Sequence, residues 1–335
     1  MTSAPFTEEA IIRLISRAVG PAGGELITGI GDDAAVIAAG QATWLVTTDL
    51  LVQGVHFNLD YTSGGDLGHR AMAANLSDLA AMGAVPRWGL LSLGLPPPPR
   101  RRFVQELIDG MLALGREHGL VLAGGDTTAA PVVTINLCLI GEAAGAGPVT
   151  RDGARPGDAV CVTGWLGAAA AGLAWLAAGR SAAGAPEVAA AHLRPQPRLA
   201  AGRALAHGGL VHAMMDVSDG IASDLARLAA AGQVGATVQA GRLPISAATS
   251  RAAGELGADP LAWALSGGED FELLFTCDPA DLPAITAAVA QAAGGLPVTR
   301  VGEITAGEGV RLIRADGRAV DITMAGFDHF KPGES

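Results

Sequence analysis

Along residues 7–19 the apolar side chains Ile11, Ile12, Leu14, Ile15, Ala18 and Val19 recur at helical spacing behind a cap-like Thr7-Glu8-Glu9. The same rhythm, carried mostly by alanine, predicts helices over 65–82, 101–118, 167–178, 197–206, 222–231 and 280–293. Short apolar runs between them predict strands at 34–37, 44–47, 88–95, 132–140, 159–163, 236–239 and 272–276. Both periods alternate along one chain, so the expected class is α/β or α+β. The stretch 141–157, with Gly145, Gly147, Pro148, Gly153 and Pro156, interrupts both patterns. It sets an expected N-terminal domain at 1–145 and a C-terminal domain at 146–335. The longest apolar run, 166–178, is short and alanine-rich, which predicts a packed helix and no membrane span.

Composition narrows the chemistry. The 335 residues carry 33 acidic against 22 basic side chains, a formal charge of −11, and the only lysine is Lys331. A P-loop, a protein-kinase lobe and a Schiff-base enzyme each need a lysine inside the fold, so all three are excluded. Acidic balance without a basic stripe argues against nucleic acid as a partner. The arginine cluster 100–102 after prolines 96–99 reads as a solvated loop and helix start. Cys138, Cys161 and Cys277 are odd in number, widely spaced and set in apolar runs, which predicts free thiols and a cytoplasmic protein.

Six short acidic motifs end apolar segments: Gly31-Asp32-Asp33, Thr47-Thr48-Asp49, Ser77-Asp78, Gly125-Asp126-Thr127-Thr128, Asp216-Val217-Ser218-Asp219 and Gly268-Glu269-Asp270. Asp216–Asp219 echoes Asn75–Asp78, and Gly267–Asp270 echoes Gly124–Asp126, as two related halves would. Each motif alone is also an ordinary turn or helix cap. If they converge, two carboxylates about 5 Å apart repel by about 3 kcal/mol at an effective dielectric of about 20, so a cation must intervene. Hard oxygen donors without His or Cys select Mg²⁺, Ca²⁺ or Mn²⁺, and Mg²⁺ with few carboxylates implies phosphates completing its shell. The residues therefore point to a magnesium–phosphate site. Gly29-Ile30-Gly31 formally opens a dinucleotide fingerprint, but two aspartates would face the pyrophosphate and a strand-like run follows. The seven histidines show no zinc spacing, and no G-x-S-x-G elbow occurs. His56, just beyond Asp49, is either a structural histidine or part of the acidic site.

These motifs resemble a known family. The runs 29–36, 48–57, 75–84, 122–128, 217–224, 265–273 and 326–330 look in order like the thiamine-monophosphate kinases, over nearly the whole chain. The individual Gly-Asp motifs are shared with aminoimidazole-ribonucleotide and selenophosphate synthetases. The Asn-Leu-Ser-Asp-Leu-Ala-Ala-Met-Gly run, Ser-Gly-Gly-Glu-Asp and the Asp-His-Phe ending are more specific.

The resemblance implies a two-domain aminoimidazole-ribonucleotide-synthetase-like fold, a homodimer built through the N-terminal domain, and transfer of a phosphoryl group from ATP to thiamine phosphate with several Mg²⁺ ions. It implies Asp33, Asp49, Asp78, Asp126, Asp216 and Asp219 as metal ligands, with Thr47 and Thr48 adding backbone or hydroxyl oxygen. Gly125, Asp126, Arg151 and Ser218 would bind ATP, and His56, Glu269 and Phe327 the thiamine phosphate. An anionic phosphate nucleophile needs no general base and no covalent intermediate, so alignment and charge stabilisation suffice. Gln53 stands where the family often has an acidic residue, and Phe271 and Phe327 where it often has Tyr or Trp. The alternatives are another ATP-dependent synthetase of the superfamily and a non-catalytic nucleotide-binding regulator. A selenophosphate synthetase would need a reactive Cys and a lysine near its N-terminus, and the chain has neither there.

Overall fold

The computed structural model describes residues 8–323. The first half runs α1 (Glu8–Val19), β1 (Leu26–Thr28), β2 (Ala35–Ala39), β3 (Ala42–Val52), α2 (Gly64–Ala81), β4 (Ala84–Leu95), α3 (Arg101–Glu117), β5 (Val121–Ala129) and β6 (Thr134–Ala143). Its six strands form one sheet in the order β1-β2-β3-β6-β4-β5, antiparallel except for the β4–β5 pair.

The second half runs β7 (Ala159–Thr163), α4 (Ala168–Ala177), α5 (Pro186–Leu193), α6 (Leu199–His207), β8 (Val211–Val217), α7 (Ile221–Ala231), β9 (Gly235–Gln239), α8 (Ala247–Leu256) and α9 (Pro260–Ser266). It ends with β10 (Glu272–Cys277), α10 (Leu282–Ala292), β11 (Val298–Thr305), β12 (Val310–Ile313) and β13 (Ala319–Asp321). These seven strands order as β13-β12-β9-β11-β7-β10-β8, with only β12–β9 parallel. Among the described residues no helix is long and apolar enough to cross a membrane.

Strand alternation assigns the cores. On β3 the residues Leu45, Thr47 and Leu51 are buried against α2, while Thr48 and Leu50 are exposed on the other face. On β7 and β8, Cys161 and Met214 join the core of the first half, and Val160, Val162 and Met215 join a second core over α7. The two halves thus share one apolar cluster.

Helix α2 lies where they meet. It packs on β3, β4 and β6, on α3 and α6, and on β8 and β10, so it is buried nearly all round. That explains its small side chains. A Cβ on Gly68 would stand 1.9 Å from the Leu107 carbonyl oxygen, and one on Gly110 would stand 2.1 Å from the Gly65 carbonyl oxygen. Only glycine permits this approach of α2 to α3. The helix starts at Ser63, whose Oγ accepts from the Asp66 N–H at 3.1 Å.

One face of the first sheet has no covering element among the described residues. Trp88, Leu90, Leu50 and Val121 are exposed there, with Trp44 and Trp88 rings 5.2 Å apart. Helix α1 also leaves Ile12, Leu14, Ile15 and Val19 exposed.

Candidate active site

The acidic motifs meet where the sheets approach α2. The inner face of β3 presents Thr47 and Asp49, the C-terminal half of α2 presents Asn75, Ser77 and Asp78, the loop before β2 presents Asp32 and Asp33, and β8 presents Asp216 one residue before its end. Carboxylate oxygens of Asp33, Asp78 and Asp216 all lie within 4.8 Å of one another. Short hydrogen bonds orient them. Thr47 Oγ1 donates to Asp78 at 2.5 Å, and Ser77 Oγ donates to Asp216 at 2.6 Å. Asn75 Oδ1 accepts from the Asp49 N–H at 3.1 Å, fixing that residue to the helix.

The electrostatics are those of a site built for cations. Burial, reinforced by Asp219 and Asp33, pushes Asp49 up to about 6. Burial and Asp33 push Asp216 up to about 8, and burial with Asp49, Asp216 and Asp33 holds Asp78 well above the usual carboxylate range. Arg151 supplies part of the missing positive charge: its Nη2 donates to Asp33 Oδ1 at 2.5 Å, its Nε to Oδ2 at 3.1 Å, and its backbone N–H to Asp32 at 3.2 Å. The donor set is oxygen only, so it fits a hard divalent ion and offers nothing to zinc or copper.

A cleft of about 630 Å³ opens from this cluster. Its lining combines Asp49, Asp78, Asp216, Ser218 and Asp219 with Leu50, Leu51, Val55, His56, Phe271 and Glu269. His56 Nδ1 accepts from the Val52 N–H at 3.0 Å, which sets the ring at the cleft. The wall carrying Glu269 is tied to the acidic lining, because the Glu269 N–H donates to the Ser218 carbonyl at 2.8 Å and the Phe271 N–H to Val217 at 2.9 Å. Glu269 (φ 67°) and Phe271 (φ 48°) hold left-handed backbone that non-glycine residues seldom adopt.

Other residues of the acidic motifs have further partners or lie elsewhere. Asp126 pairs with Ser92 on β4, so it lies on the uncovered face of the sheet with Trp88 and Leu90. Strands β4 and β6 separate it from β3, so the chain does not bring Asp126, or Gly125 beside it, to its own acidic cluster. Thr48 points to the same uncovered face, donating to the Leu137 carbonyl at 3.0 Å, and borders the cleft from that side. Asp270 serves as a cap: it accepts from the Gly167 and Ala169 N–H groups, at 2.6 and 3.0 Å, at the start of α4. Burial still pushes it up to about 7. Asp219 lines the cleft but is paired with Arg227 at 2.5 Å. Phe327 lies outside the described residues.

Comparison with known proteins settles the family. The model for AIR synthase related protein, N-terminal domain, matches residues 31–143, and that for the C-terminal domain matches 155–315. The thiamine-monophosphate kinase of Escherichia coli K12 is 40% identical over 307 residues, spanning 90% of this chain and 91% of its own. The chain belongs to the thiamine-monophosphate kinase family. A solved member, AaThiL complexed with AMPPCP and TMP, superposes with a TM-score of 0.84 at 31% identity and 97% coverage of both chains. The thiamine-monophosphate kinase of Stenotrophomonas maltophilia superposes at 0.76, with 36% identity and coverage of 96% of this chain and 98% of its own.

Within this kinase-family chain, sequence reading missed the residues that hold the ligands in place. Asn75 and Ser77 stood inside the quoted Asn-Leu-Ser-Asp run, but their partners lie on other segments. Fully buried Asp224 accepts from the N–H groups of Ser218 and Asp219, at 3.0 and 3.1 Å, and so shapes that loop. In sequence it closes the run 217–224 and stands in the first turn of a predicted helix, with no partner visible.

Proposed function

We propose that the chain transfers the γ-phosphoryl group of ATP to the phosphate of thiamine phosphate, giving thiamine diphosphate and ADP. A phosphate oxygen of thiamine phosphate attacks the γ-phosphorus in line, and the bond from phosphorus to the ADP oxygen breaks. The carrying observation is the cleft itself, which joins clustered carboxylates to apolar side chains, His56 and Glu269. Membership of the kinase family supports the same substrates.

Asp33, Asp49, Asp78, Asp216 and Asp219, with Thr47 and the Thr48 backbone oxygen, would hold Mg²⁺. When bound there it would supply the positive charge that lets two anionic phosphates meet. Arg151 would leave Asp33 to grip the ATP phosphates in a bidentate manner, as its fork of donors allows. Ser218 would contact ATP from the loop that Asp224 shapes. His56 and Glu269, with Phe327, would seat the thiamine moiety, and the departures at Gln53, Phe271 and Phe327 bear on that pocket. Gln53 accepts from the Val133 N–H at 3.2 Å, a backbone-bracing role.

The reading includes a homodimer through residues 1–145. The uncovered sheet face, with Trp44, Trp88, Leu50 and Leu90, is an apolar patch of the kind that marks an interface. Strand β2 pairs only with residues 42–46 of β3, so the cleft also borders the uncovered face at Thr48 and Leu50, and a twin seated there would bring its own Gly125 and Asp126 to that border. The deciding assay is purified protein with Mg-ATP and thiamine phosphate. Thiamine diphosphate should form stoichiometrically with ADP; turnover of another acceptor with none of that product would replace the reading.

A further inference from the structure

Arg70 has no assigned role, yet it is one of the largest fully buried side chains, only 2% exposed. An isolated buried guanidinium is strongly unfavourable, so its partners must account for it. Those partners come from three separate segments. Nη2 donates to both carboxylate oxygens of Glu269 and, at 2.8 Å, to the His56 carbonyl. Nη1 stands 3.4 Å from His192 Nε2 at the end of α5.

His192 completes the arrangement. Its ring is 1% exposed, and burial together with Arg70 pushes it down to about 4, so it is neutral. A guanidinium can only donate, so Nε2 accepts and the ring proton sits on Nδ1. That Nδ1 is buried without a hydrogen-bond partner and lies 3.7 Å from Glu269 Oε2. Glu269 is thus held by the Arg70 guanidinium, with the neutral His192 ring beside it, while its side chain stays 30% exposed toward the cleft. The left-handed backbone at Glu269 needs such an anchor to persist.

We propose that Arg70 is a positioning residue for the acceptor pocket, holding Glu269 and the His56 loop so that Glu269 acts as a fixed hydrogen-bond acceptor for the substrate's organic head. This rests on the reading of thiamine phosphate as the acceptor. Arg70 already balances the Glu269 charge, so the pair recognises an N–H donor and not a cation as such. The amino group on the pyrimidine of thiamine phosphate is a donor of that kind. A site built around such a bond rejects an analogue lacking it.

The test compares Arg70→Met, Arg70→Lys, Glu269→Gln and the double variant R70M/E269Q, measuring kcat and both KM values. Oxythiamine phosphate, which carries oxygen in place of that amino group, is the second acceptor. Loss of one charge-assisted hydrogen bond predicts a rise in the thiamine phosphate KM of about 10- to 100-fold for Arg70→Met. The ATP KM should stay within about twofold, and Arg70→Lys should recover part of the loss. Preference for thiamine phosphate over oxythiamine phosphate should collapse in Arg70→Met, and the double variant should be no worse than the worse single one. Equal rises in both KM values, unchanged preference, or additive losses would overturn the proposal. Should Arg70→Met fail to fold, Arg70→Lys and Glu269→Gln carry the same comparison. Wild-type protein that makes no thiamine diphosphate would instead overturn the proposed function.

Discussion

At the scale of single residues, the site is a set of like charges held together against their own repulsion. Burial disfavours ionisation of Asp49, and its neighbours Asp219 and Asp33 add to that. The proposed ligand role makes it indispensable: Asp49→Asn is expected to lower turnover at least about 100-fold, the scale on which removing metal-borne charge stabilisation acts. Steady-state kinetics at saturating Mg-ATP check this, and activity within a few-fold of wild type would remove Asp49 from the ligand set.

The same repulsion makes stability pH-dependent. Asp49 is raised to about 6, Asp216 to about 8 and Asp78 also upward, while the unfolded chain ionises near the ordinary value of 3.8. The folded state therefore holds more protons than the unfolded one between those limits, so metal-free protein loses stability as pH rises from about 4 through 8. On the proposed metal role, magnesium would displace those protons from the folded arrangement, so its stabilising effect should grow over the same window. Calorimetric melting with and without Mg²⁺ at pH 6 and 8 is the measurement. A magnesium-induced rise in Tm that is the same at both pH values would contradict the assignment.

At the scale of elements, α2 matters most. It carries Arg70, Asn75, Ser77 and Asp78, and its position depends on the close approach at Gly68. Gly68→Ala places a methyl group 1.9 Å from a backbone oxygen, so the helix pair must separate. A loss of about 3 kcal/mol in denaturant unfolding is expected, at the upper end of overpacking costs; a loss below about 1 kcal/mol would show that α2 and α3 can move apart freely.

The elements also show what the chain discloses before folding. All seven strands and seven helices predicted from periodicity are present, because each has a one- or two-sided apolar pattern long enough to read. Strand β5 escaped because Gly124-Gly125-Asp126-Thr127-Thr128 reads as a polar turn, and it pairs only through its neighbour β4. Helices α5, α8 and α9 are short and close a local cluster around Trp175 and Val188, whose contacts are non-local. The acidic residues were legible as types at strand ends. Their partners were not, since Ser77 and Asp216 are 139 residues apart in sequence, and Asp270 showed the same pattern while serving as a cap.

At the scale of the molecule, one chain supplies an acidic cluster on the covered side of its first sheet and leaves Asp126 on the uncovered side. If two copies pair through those uncovered faces, each site is composite: Asp49 from one subunit and Asp126 from its twin. Asp49→Asn and Asp126→Asn should then each be inactive alone, yet active when mixed. A hybrid dimer has one site that carries both substitutions and one that carries neither. Random exchange makes about half of the dimers hybrids with one intact site of two, so about a quarter of wild-type activity should return. Mixing the purified variants, allowing subunits to exchange and assaying thiamine diphosphate formation checks this. A mixture as inactive as its parts, under conditions where exchange is demonstrated with labelled chains, would place both aspartates in the same subunit's site or leave Asp126 outside the chemistry. Recovery would explain why a chain of net charge −11 spreads its metal-binding carboxylates over both sides of a sheet: the second side serves the neighbouring copy.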